Sequence, residues 1–228
     1  MSFEDVASRY DRWYLSPEGR YMYATENELF LRLAKPRSGQ SLLEVGCGTG
    51  HNITFFQSLG LRVTGIEPSQ SMLEIATRKC STFATVCSEE ASHLDFPDCS
   101  FDIVTIITAL EFMSDPMVAL KEAFRVSRRT VYLGVLNKVS ILGVSRRIRS
   151  WLSSKSIYCQ AHFYTVWEIE RMVRGIAPGV AISWKSVLFF PWGWHHYFQR
   201  VDRFLSFRRN PFGAFLGICV TKLQQPIL

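Results

Sequence analysis

Three glycines at alternate positions, Gly46, Gly48 and Gly50, follow the apolar run SLLEV and precede a helical pattern. A chain that passes from a strand to a helix at this point must turn sharply. Glycine allows the turn, and it also lets a ligand approach the backbone closely. Glu67 ends the next strand-like run about 20 residues on, where a carboxylate can accept hydrogen bonds from both ribose hydroxyls. The combination predicts a site for an adenosine-containing ligand.

The spacing of the glycines discriminates among such ligands. A dinucleotide fold needs the pattern G-x-G-x-x-G, so that a pyrophosphate meets the start of the helix. Here the last gap is one residue shorter, and the acidic residue Glu44 precedes the loop. Glu44 would repel a pyrophosphate, whereas it could face a cationic ligand directly or through water. S-adenosylmethionine (SAM) carries an ammonium and a sulfonium group, so the pattern favours SAM over a nicotinamide dinucleotide.

Several motifs in order resemble those of the class I SAM-dependent methyltransferases, in particular the small-molecule branch that methylates ubiquinone and menaquinone precursors. The run from Glu44 to Gly50 is similar to the first motif of that family. Residues 65–69 are similar to its second-strand acidic motif, and residues 89–102 resemble its G-D-A-x-x-L-P-F-x-D-x-S-F-D segment. Residues 109–112 fall where the family has the end of its fourth strand. The resemblance covers roughly residues 10–137.

The resemblance implies that SAM is the cofactor, that S-adenosylhomocysteine is its product, and that no metal takes part. Glu44 and the backbone of Gly46–Gly50, including Cys47 and Gly48, would hold the methionine moiety, and Glu67 would bind the ribose. The further residues that the resemblance assigns to cofactor contact are Pro68 and Ser69 beside the adenine, Glu90 and Ala91 at its amino edge, Thr108, Ala109 and Leu110 on the sulfonium side, and Tyr10 in a lid.

Catalytic residues are harder to choose, because methyl transfer is an in-line displacement that needs alignment more than acid or base. A base matters only when the acceptor carries a proton to be removed. The candidates are Glu111, at the carboxyl end of the fourth strand, and His162 and Tyr164, just before a helix in the last third of the chain. No D/N-P-P-Y/W/F sequence follows the fourth strand, which disfavours nucleic acid and protein amides as substrates and favours a small molecule.

The elements that position these residues alternate along the chain between strands and helices, which predicts a doubly wound, mostly parallel α/β sheet. The resemblance implies a Rossmann-like sheet of seven strands with helices on both faces, its last strand antiparallel, and C-terminal helical lid elements. Caps are predicted at Ser16, Asp115 and Thr165, the last in a capping box with Glu168. Strands are predicted at 41–45, 61–67, 83–87, 101–110, 130–136, 180–190 and 212–222.

The length and composition of the chain fit one domain, residues 1–228. We divide it into an N-terminal helical lid (1–36), a SAM-binding core (37–137), and a substrate-side cap with the last strands (138–228). The chain lacks C-x-x-C pairs among its six cysteines and a basic-then-apolar start, which predicts a cytoplasmic protein. Lys and Arg number 13 against 17 Asp and Glu up to Asn137, and 13 against 3 afterward. The excess predicts a basic face for an anionic substrate, anionic lipid or nucleic acid.

The aromatic stretch at 187–204 allows three interpretations. The interpretation as a metal site is rejected, because the side chains of the adjacent His195 and His196 point about 100° apart on a helix. The apolar positions 194, 197, 198, 201, 204 and 205 form one helical stripe, which predicts a lid packed over the substrate pocket. Peripheral contact with a membrane, through residues 141–152 and 192–205, is the alternative.

The function predicted from these observations is methyl transfer from SAM to a small, partly hydrophobic acceptor, such as a quinone-like aromatic, a lipid or a thiol. Two alternatives stay open. One is an RNA- or protein-directed methyltransferase that docks through the basic C-terminal third. The other is a SAM-binding protein without catalytic activity.

Overall fold

A computed structural model of the chain describes residues 7–140 and 161–222. The helices are α1 (Ala7–Leu15), α2 (Pro17–Ala34), α3 (His51–Ser58), α4 (Gln70–Cys80), α5 (Pro116–Val126), α6 (Val166–Ile176) and α7 (His195–Leu205), with 3-10 turns at Leu110–Phe112 and Trp192–Trp194. The strands are β1 (Ser41–Val45), β2 (Arg62–Ile66), β3 (Thr85–Cys87), β4 (Phe101–Ile107), β5 (Ser127–Leu136), β6 (Ala181–Val187) and β7 (Phe215–Thr221).

The seven strands form one sheet in the order β3-β2-β1-β4-β5-β7-β6. The pairings of β1 to β5 are parallel, while β7 runs antiparallel to both β5 and β6. The predicted Rossmann-like, mostly parallel sheet with an antiparallel last strand is therefore confirmed. Strand order reverses between β1 and β4, and ligands of open α/β sheets bind at the carboxyl ends of the strands beside such a reversal.

The sheet is covered on both faces, which explains why β4, β7 and residues 131–136 of β5 are mostly apolar. On one face, buried side chains of α5 and α6 pack against the strands. On the other, Phe30 of α2 packs against Phe56 of α3 and Tyr132 of β5, with ring centroids 4.8 and 5.1 Å apart. Fully burying one such aromatic side chain stabilises the fold by about 1.5–3 kcal/mol, so these contacts fix α2 and α3 next to the glycine loop.

The three predicted helix starts are confirmed. Ser16 accepts a hydrogen bond from the Gly19 N–H, and Asp115 accepts from two N–H groups of α5. Thr165 and Glu168 form the reciprocal capping box. Among the strands, β1 has the predicted bounds and the others differ by one to three residues at one or both ends. β4 ends at Ile107, because Thr108 turns the backbone to φ +49°, and β5 begins at Ser127. β6 and β7 are shorter than predicted, at 181–187 and 215–221.

Helix α7 forms as predicted, but its apolar stripe does not pack on the core. Tyr197, Val201 and Phe204 are exposed to 84%, 45% and 61%. The inward side instead carries Asp202, whose carboxylate accepts hydrogen bonds from the N–H groups of Phe189 and Phe190. The prediction of a packed stripe is wrong here. Several donors hold the buried carboxylate of Asp202, and this anchor fixes which side of the helix faces inward.

The amphipathic segment predicted at 141–152 lies outside the described residues. Over residues 7–140 and 161–222, none of the helices combines the length and the apolar character needed to cross a bilayer.

Candidate functional site

A cavity of about 340 Å³ opens at the carboxyl ends of β1, β2 and β4, where the strand order reverses. Eleven of the residues predicted for the cofactor line it, from five separate segments of the chain. They are Tyr10, Gly46, Cys47, Gly48, Glu67, Pro68, Ser69, Glu90, Ala91, Thr108 and Ala109. The fold thus brings together residues that are up to about a hundred positions apart in sequence.

The glycine loop after β1 forms one wall of the cavity. Gly46, Gly48 and Gly50 all have positive φ, at 75°, 55° and 79°. L-residues with side chains rarely adopt this conformation. A Cβ on Gly46 would come within 2.6 Å of the Ala109 Cβ, so this glycine permits contact between the loops after β1 and β4. A Cβ on Gly48 would have nothing closer than 4.0 Å, where Met72 and Tyr10 lie. A side chain at Gly48 would therefore occupy cavity space.

Glu67 connects the glycine loop to the turn after β2. Its carboxylate accepts one hydrogen bond from the Gly48 N–H at 2.8 Å and another from the Ser69 N–H at 2.9 Å. Hydrogen bonds to an ionised acceptor are stronger than those between neutral groups, so these two donors hold the carboxylate in place. Each oxygen of a carboxylate can accept a further hydrogen bond. Glu67 can therefore receive hydroxyl donors from a ligand in the cavity.

Glu44 lies behind the loop and does not itself line the cavity. Its Oε1 atom accepts a hydrogen bond from Asn52, which does line it, at 2.7 Å. Its Oε2 atom is buried without a hydrogen-bond partner. Burial raises the pKa of Glu44 to about 8; the Asn52 hydrogen bond opposes this effect, and the nearby Glu67 charge adds to it. A buried acid in this state takes up either a proton or a cation.

Residues 89–98, on the adenine side predicted above, form neither helix nor strand and are held from α5. Arg125 donates hydrogen bonds to the carbonyl oxygens of Leu94 and Phe96, both at 2.7 Å. Glu122 accepts from the Leu94 N–H at 3.0 Å, and its pKa is lowered to about 2, chiefly by the hydrogen bonds from Arg125. This network fixes the irregular segment from which Glu90 and Ala91 reach the cavity.

Helix α1 covers the glycine loop through a carboxylate that sequence reasoning passed over. Asp11 is hydrogen-bonded to the His51 Nε2 atom at 2.8 Å, at the start of α3, and forms an ion pair with Lys79 at 2.8 Å, near the end of α4. The ring of Tyr14 stacks on His51 with centroids 4.0 Å apart, and the hydroxyls of Tyr10 and Tyr14 are hydrogen-bonded at 3.1 Å. We call this group the α1 latch: Tyr10, Asp11, Tyr14, His51 and Lys79.

The latch has electrostatic consequences for both of its central groups. Burial lowers the pKa of His51; the Lys79 charge lowers it further, while Asp11 acts in the opposite direction. For Asp11, burial acts to raise the pKa, but the hydrogen bond from Lys79 and the charges of Lys79 and His51 outweigh it, and the pKa is lowered. Because an ionised carboxylate can only accept, the His51 Nε2 atom carries the hydrogen in this contact.

The cavity lining also contains residues that the sequence reasoning did not select. Tyr14 and His51 could have been found from the Y-D-x-W segment and from the position directly after the glycine loop. The apolar members carried no sequence signal of their own, since Met, Phe and Ala at helical spacing also fit a core. The lining residues that were missed are Tyr14, Thr49, His51, Asn52, Ile66, Met72, Glu89, Ser92, Ile107, Phe112, Met113, Ser114, Asp115 and Ala119.

The structure places the three catalytic candidates next to one another but outside the cavity lining. Glu111 is buried, and its Oε1 atom accepts from the Leu136 N–H at 2.5 Å. The His162 N–H donates to the Glu111 carbonyl at 2.8 Å, and the Tyr164 hydroxyl donates to the Leu110 carbonyl at 3.4 Å. These contacts connect the ends of β4 and β5 to residues 161–164.

Two cofactor candidates also lie outside the lining. Leu110 belongs to the buried core, and Gly50 lies against Cys80, whose Sγ would be 2.8 Å from an added Cβ. Within residues 7–140 and 161–222, no cluster of three or more His, Cys, Asp or Glu residues could hold a metal ion.

A doubly wound sheet, a glycine loop after β1 and an acid at the end of β2 define a Rossmann-like α/β protein with a nucleoside-type site. The sequence of the core narrows this class. Residues 43–134 match the family model of the methyltransferase domain. This part of the chain is therefore a methyltransferase domain, and the match supports a class I SAM-dependent methyltransferase.

Individual relatives agree with this assignment. The chain is 34% identical over 131 residues to a demethylmenaquinone methyltransferase of Staphylococcus aureus. This alignment covers 54% of the chain and 53% of the relative. The chain is 28% identical over 174 residues to an uncharacterised protein of Methanocaldococcus jannaschii, covering 75% and 78%. The chain also superposes on the crystal structure of a SAM-dependent methyltransferase of Thermotoga maritima, described as a possible histamine N-methyltransferase. The TM-score is 0.73 and the sequence identity is 27%, and the superposition covers 97% of this chain and 98% of the other. The chain thus spans about half the length of the S. aureus relative.

Proposed function

We propose that the chain binds SAM in this cavity and transfers its methyl group to a small, partly apolar acceptor. The observation that carries the proposal is the carboxylate of Glu67, fixed at the cavity by the N–H groups of Gly48 and Ser69. A carboxylate at the end of β2 has the position from which a ribose diol is bound in folds of this class. The positive-φ glycine loop next to it leaves the backbone open to a ligand.

The residues present fit the cofactor that the family implies. The Oε2 atom of Glu44 is buried without a hydrogen-bond partner, and the α-ammonium of SAM would supply a positive charge to it, directly or through water. Gly48 leaves open the space between Met72 and Tyr10 in which the methionine part would lie. When bound, SAM brings a methyl group activated on a positively charged sulfur.

The work left to the protein is alignment and exclusion of water. Holding two reactants in line can supply roughly 7–11 kcal/mol of a barrier. In this cavity the α1 latch forms the cover, and apolar side chains occupy part of the lining, namely Met72, Ile107, Phe112, Met113 and Ala119. These apolar walls support an acceptor that is itself partly apolar, such as a quinone-like aromatic, a lipid or a thiol. A catalytic role for Glu111, His162 or Tyr164 remains a prediction.

Titration calorimetry with S-adenosylhomocysteine tests the cofactor site. Wild-type protein should bind it and should not bind NADH. Glu67→Gln should weaken binding by about 10- to 100-fold, the usual effect of losing a hydrogen bond to a charged group. Glu74→Gln, an exposed carboxylate on α4, is the matched control and should bind like the wild type. A folded Glu67→Gln variant with unchanged affinity would refute the proposed site.

The acceptor class is tested with methyl-labelled SAM and an extract of the source cells. After reaction, the label is separated into solvent-extractable, small aqueous and macromolecular fractions. Label in the organic phase is the expected result. Label in RNA or protein would replace the small acceptor by a macromolecule docked on the basic third of the chain. Label in small aqueous compounds would contradict the argument from the apolar lining.

A further inference from the structure

One side of α7 presents large apolar groups to solvent. Tyr197, Val201 and Phe204 follow one another at i, i+4 and i+7, so they form a single row along the helix. Trp194, directly before the helix, is exposed to 58%. Single exposed apolar residues are ordinary, whereas a continuous row of large apolar side chains marks an interaction surface. We call this row and its flanking arginines, Arg200 and Arg203, the α7 face.

The outward orientation of the α7 face is fixed by contacts on the opposite side of the helix. Asp202 is buried to 97%. Besides the two backbone donors described above, it accepts a hydrogen bond from the Tyr21 hydroxyl of α2 at 2.9 Å. Rolling the helix inward would break these three hydrogen bonds and leave a buried charge unpaired, which is strongly unfavourable. The apolar row is therefore a stable feature of the folded chain.

The surroundings of the row are positively charged. Arg200, Arg203, Arg208 and Arg209 are all exposed, and the guanidinium of Arg208 lies 4.0 Å from the centroid of the Phe204 ring. Asp202 is the one acidic residue of the sequence from 187 to 213, and it is buried. The apolar row thus lies among cations without an exposed carboxylate in the same stretch of sequence.

We propose that the α7 face docks the protein on the surface of an anionic lipid bilayer. A helix with aromatic residues on one side and arginines beside them lies in the plane of the interface, with the rings at the acyl boundary and the guanidinium groups at the phosphates. A second copy of the chain is disfavoured as the occupant, since pairing this face with itself would bring the arginines together. The charge complementarity selects the lipid surface.

Vesicle co-sedimentation tests the proposal with the intact protein and without cofactor, so its outcome is independent of the proposed methyl transfer. The protein should sediment with vesicles of phosphatidylcholine and phosphatidylglycerol and remain in solution with phosphatidylcholine alone. Combining Tyr197→Asp with Phe204→Asp should lower binding by about tenfold or more. Combining Arg200→Gln with Arg203→Gln should lower it by roughly fivefold for each charge removed.

The matched control removes the same charge from the opposite edge of the sheet. Arg62 of β2 and Arg78 of α4 are exposed there, and Arg62→Gln with Arg78→Gln should bind vesicles like the wild type. Thermal unfolding of every variant excludes loss of structure. Equal binding by the Tyr197→Asp, Phe204→Asp variant overturns the proposal. So does a failure of the wild type to bind anionic vesicles, whether or not the α7 face then proves to mediate self-association or to bind RNA.

Discussion

Replacement of Glu111 by glutamine tests whether this buried carboxyl is an uncharged part of the fold. Burial raises its pKa from the ordinary 4.5 to about 7, against the opposing hydrogen bond from the Leu136 N–H. In the folded protein the group therefore keeps its proton over a range in which the unfolded chain has lost it. The free energy of unfolding must fall as the pH rises from about 4.5 to about 7, because the folded state binds more protons there.

The size of this fall follows from the displacement of the pKa. One pKa unit corresponds to 1.36 kcal/mol, so the wild type should lose about 3 kcal/mol of stability from this group between pH 4.5 and pH 7. Glutamine imitates the neutral acid and can still accept from Leu136. Urea unfolding of both proteins at several pH values measures the difference. The buried Glu44 titrates in both proteins and therefore cancels.

The expected result is that the two proteins are about equally stable at low pH and that Glu111→Gln is the more stable one above pH 7. Parallel stability curves would refute the reasoning. Methyl transfer separates a structural role from a catalytic one. A fall in the rate of methyl transfer of about 100-fold or more, typical of a lost acid–base group, would indicate that Glu111 takes part in catalysis. Retained activity would limit it to joining β4 and β5.

Three other perturbations have definite expected results. Gly48→Val should abolish binding of S-adenosylhomocysteine in calorimetry because its side chain fills cavity space, and a positive φ should cost about 1–2 kcal/mol of stability in a thermal melt. Asp11→Asn should weaken the contacts of α1 with His51 and Lys79 by about 1 kcal/mol or less, since these pairs are partly exposed, and should speed cleavage of α1 in limited proteolysis. Leu29→Ala, at a fully buried position, should cost about 2–5 kcal/mol in urea unfolding.

Much of the fold could be predicted from local patterns. Periodicity located all seven strands, and the caps at Ser16, Asp115 and Thr165 were recognisable because each places an oxygen where unpaired N–H groups begin. The strand ends were less accessible. β4 ends at Ile107 because Thr108 adopts a positive φ, and the apolar pattern of this run does not predict that turn.

Prediction of the site succeeded where backbone chemistry imposes a residue type, and failed where long-range packing decides. The glycines and Glu67 had to be present for the loop to form, so they were visible in the sequence. Asp11 was not, because its partners lie 40 and 68 residues away. The outward face of α7 was hidden for the same reason: only the distant Tyr21 and the donors of residues 189 and 190 reveal which way Asp202 turns the helix.

The position of β7 between β5 and β6 also sets an order of assembly during synthesis. β6 leaves the ribosome before β7, yet the strand to which it pairs in the sheet is β7. Until β7 emerges, β6 and the aromatic stretch after it have no sheet to join, while β1 to β5 can already pair with one another. Segments in this position are exposed to aggregation. The pairing of β6 with the sheet therefore waits until β7 has been synthesised.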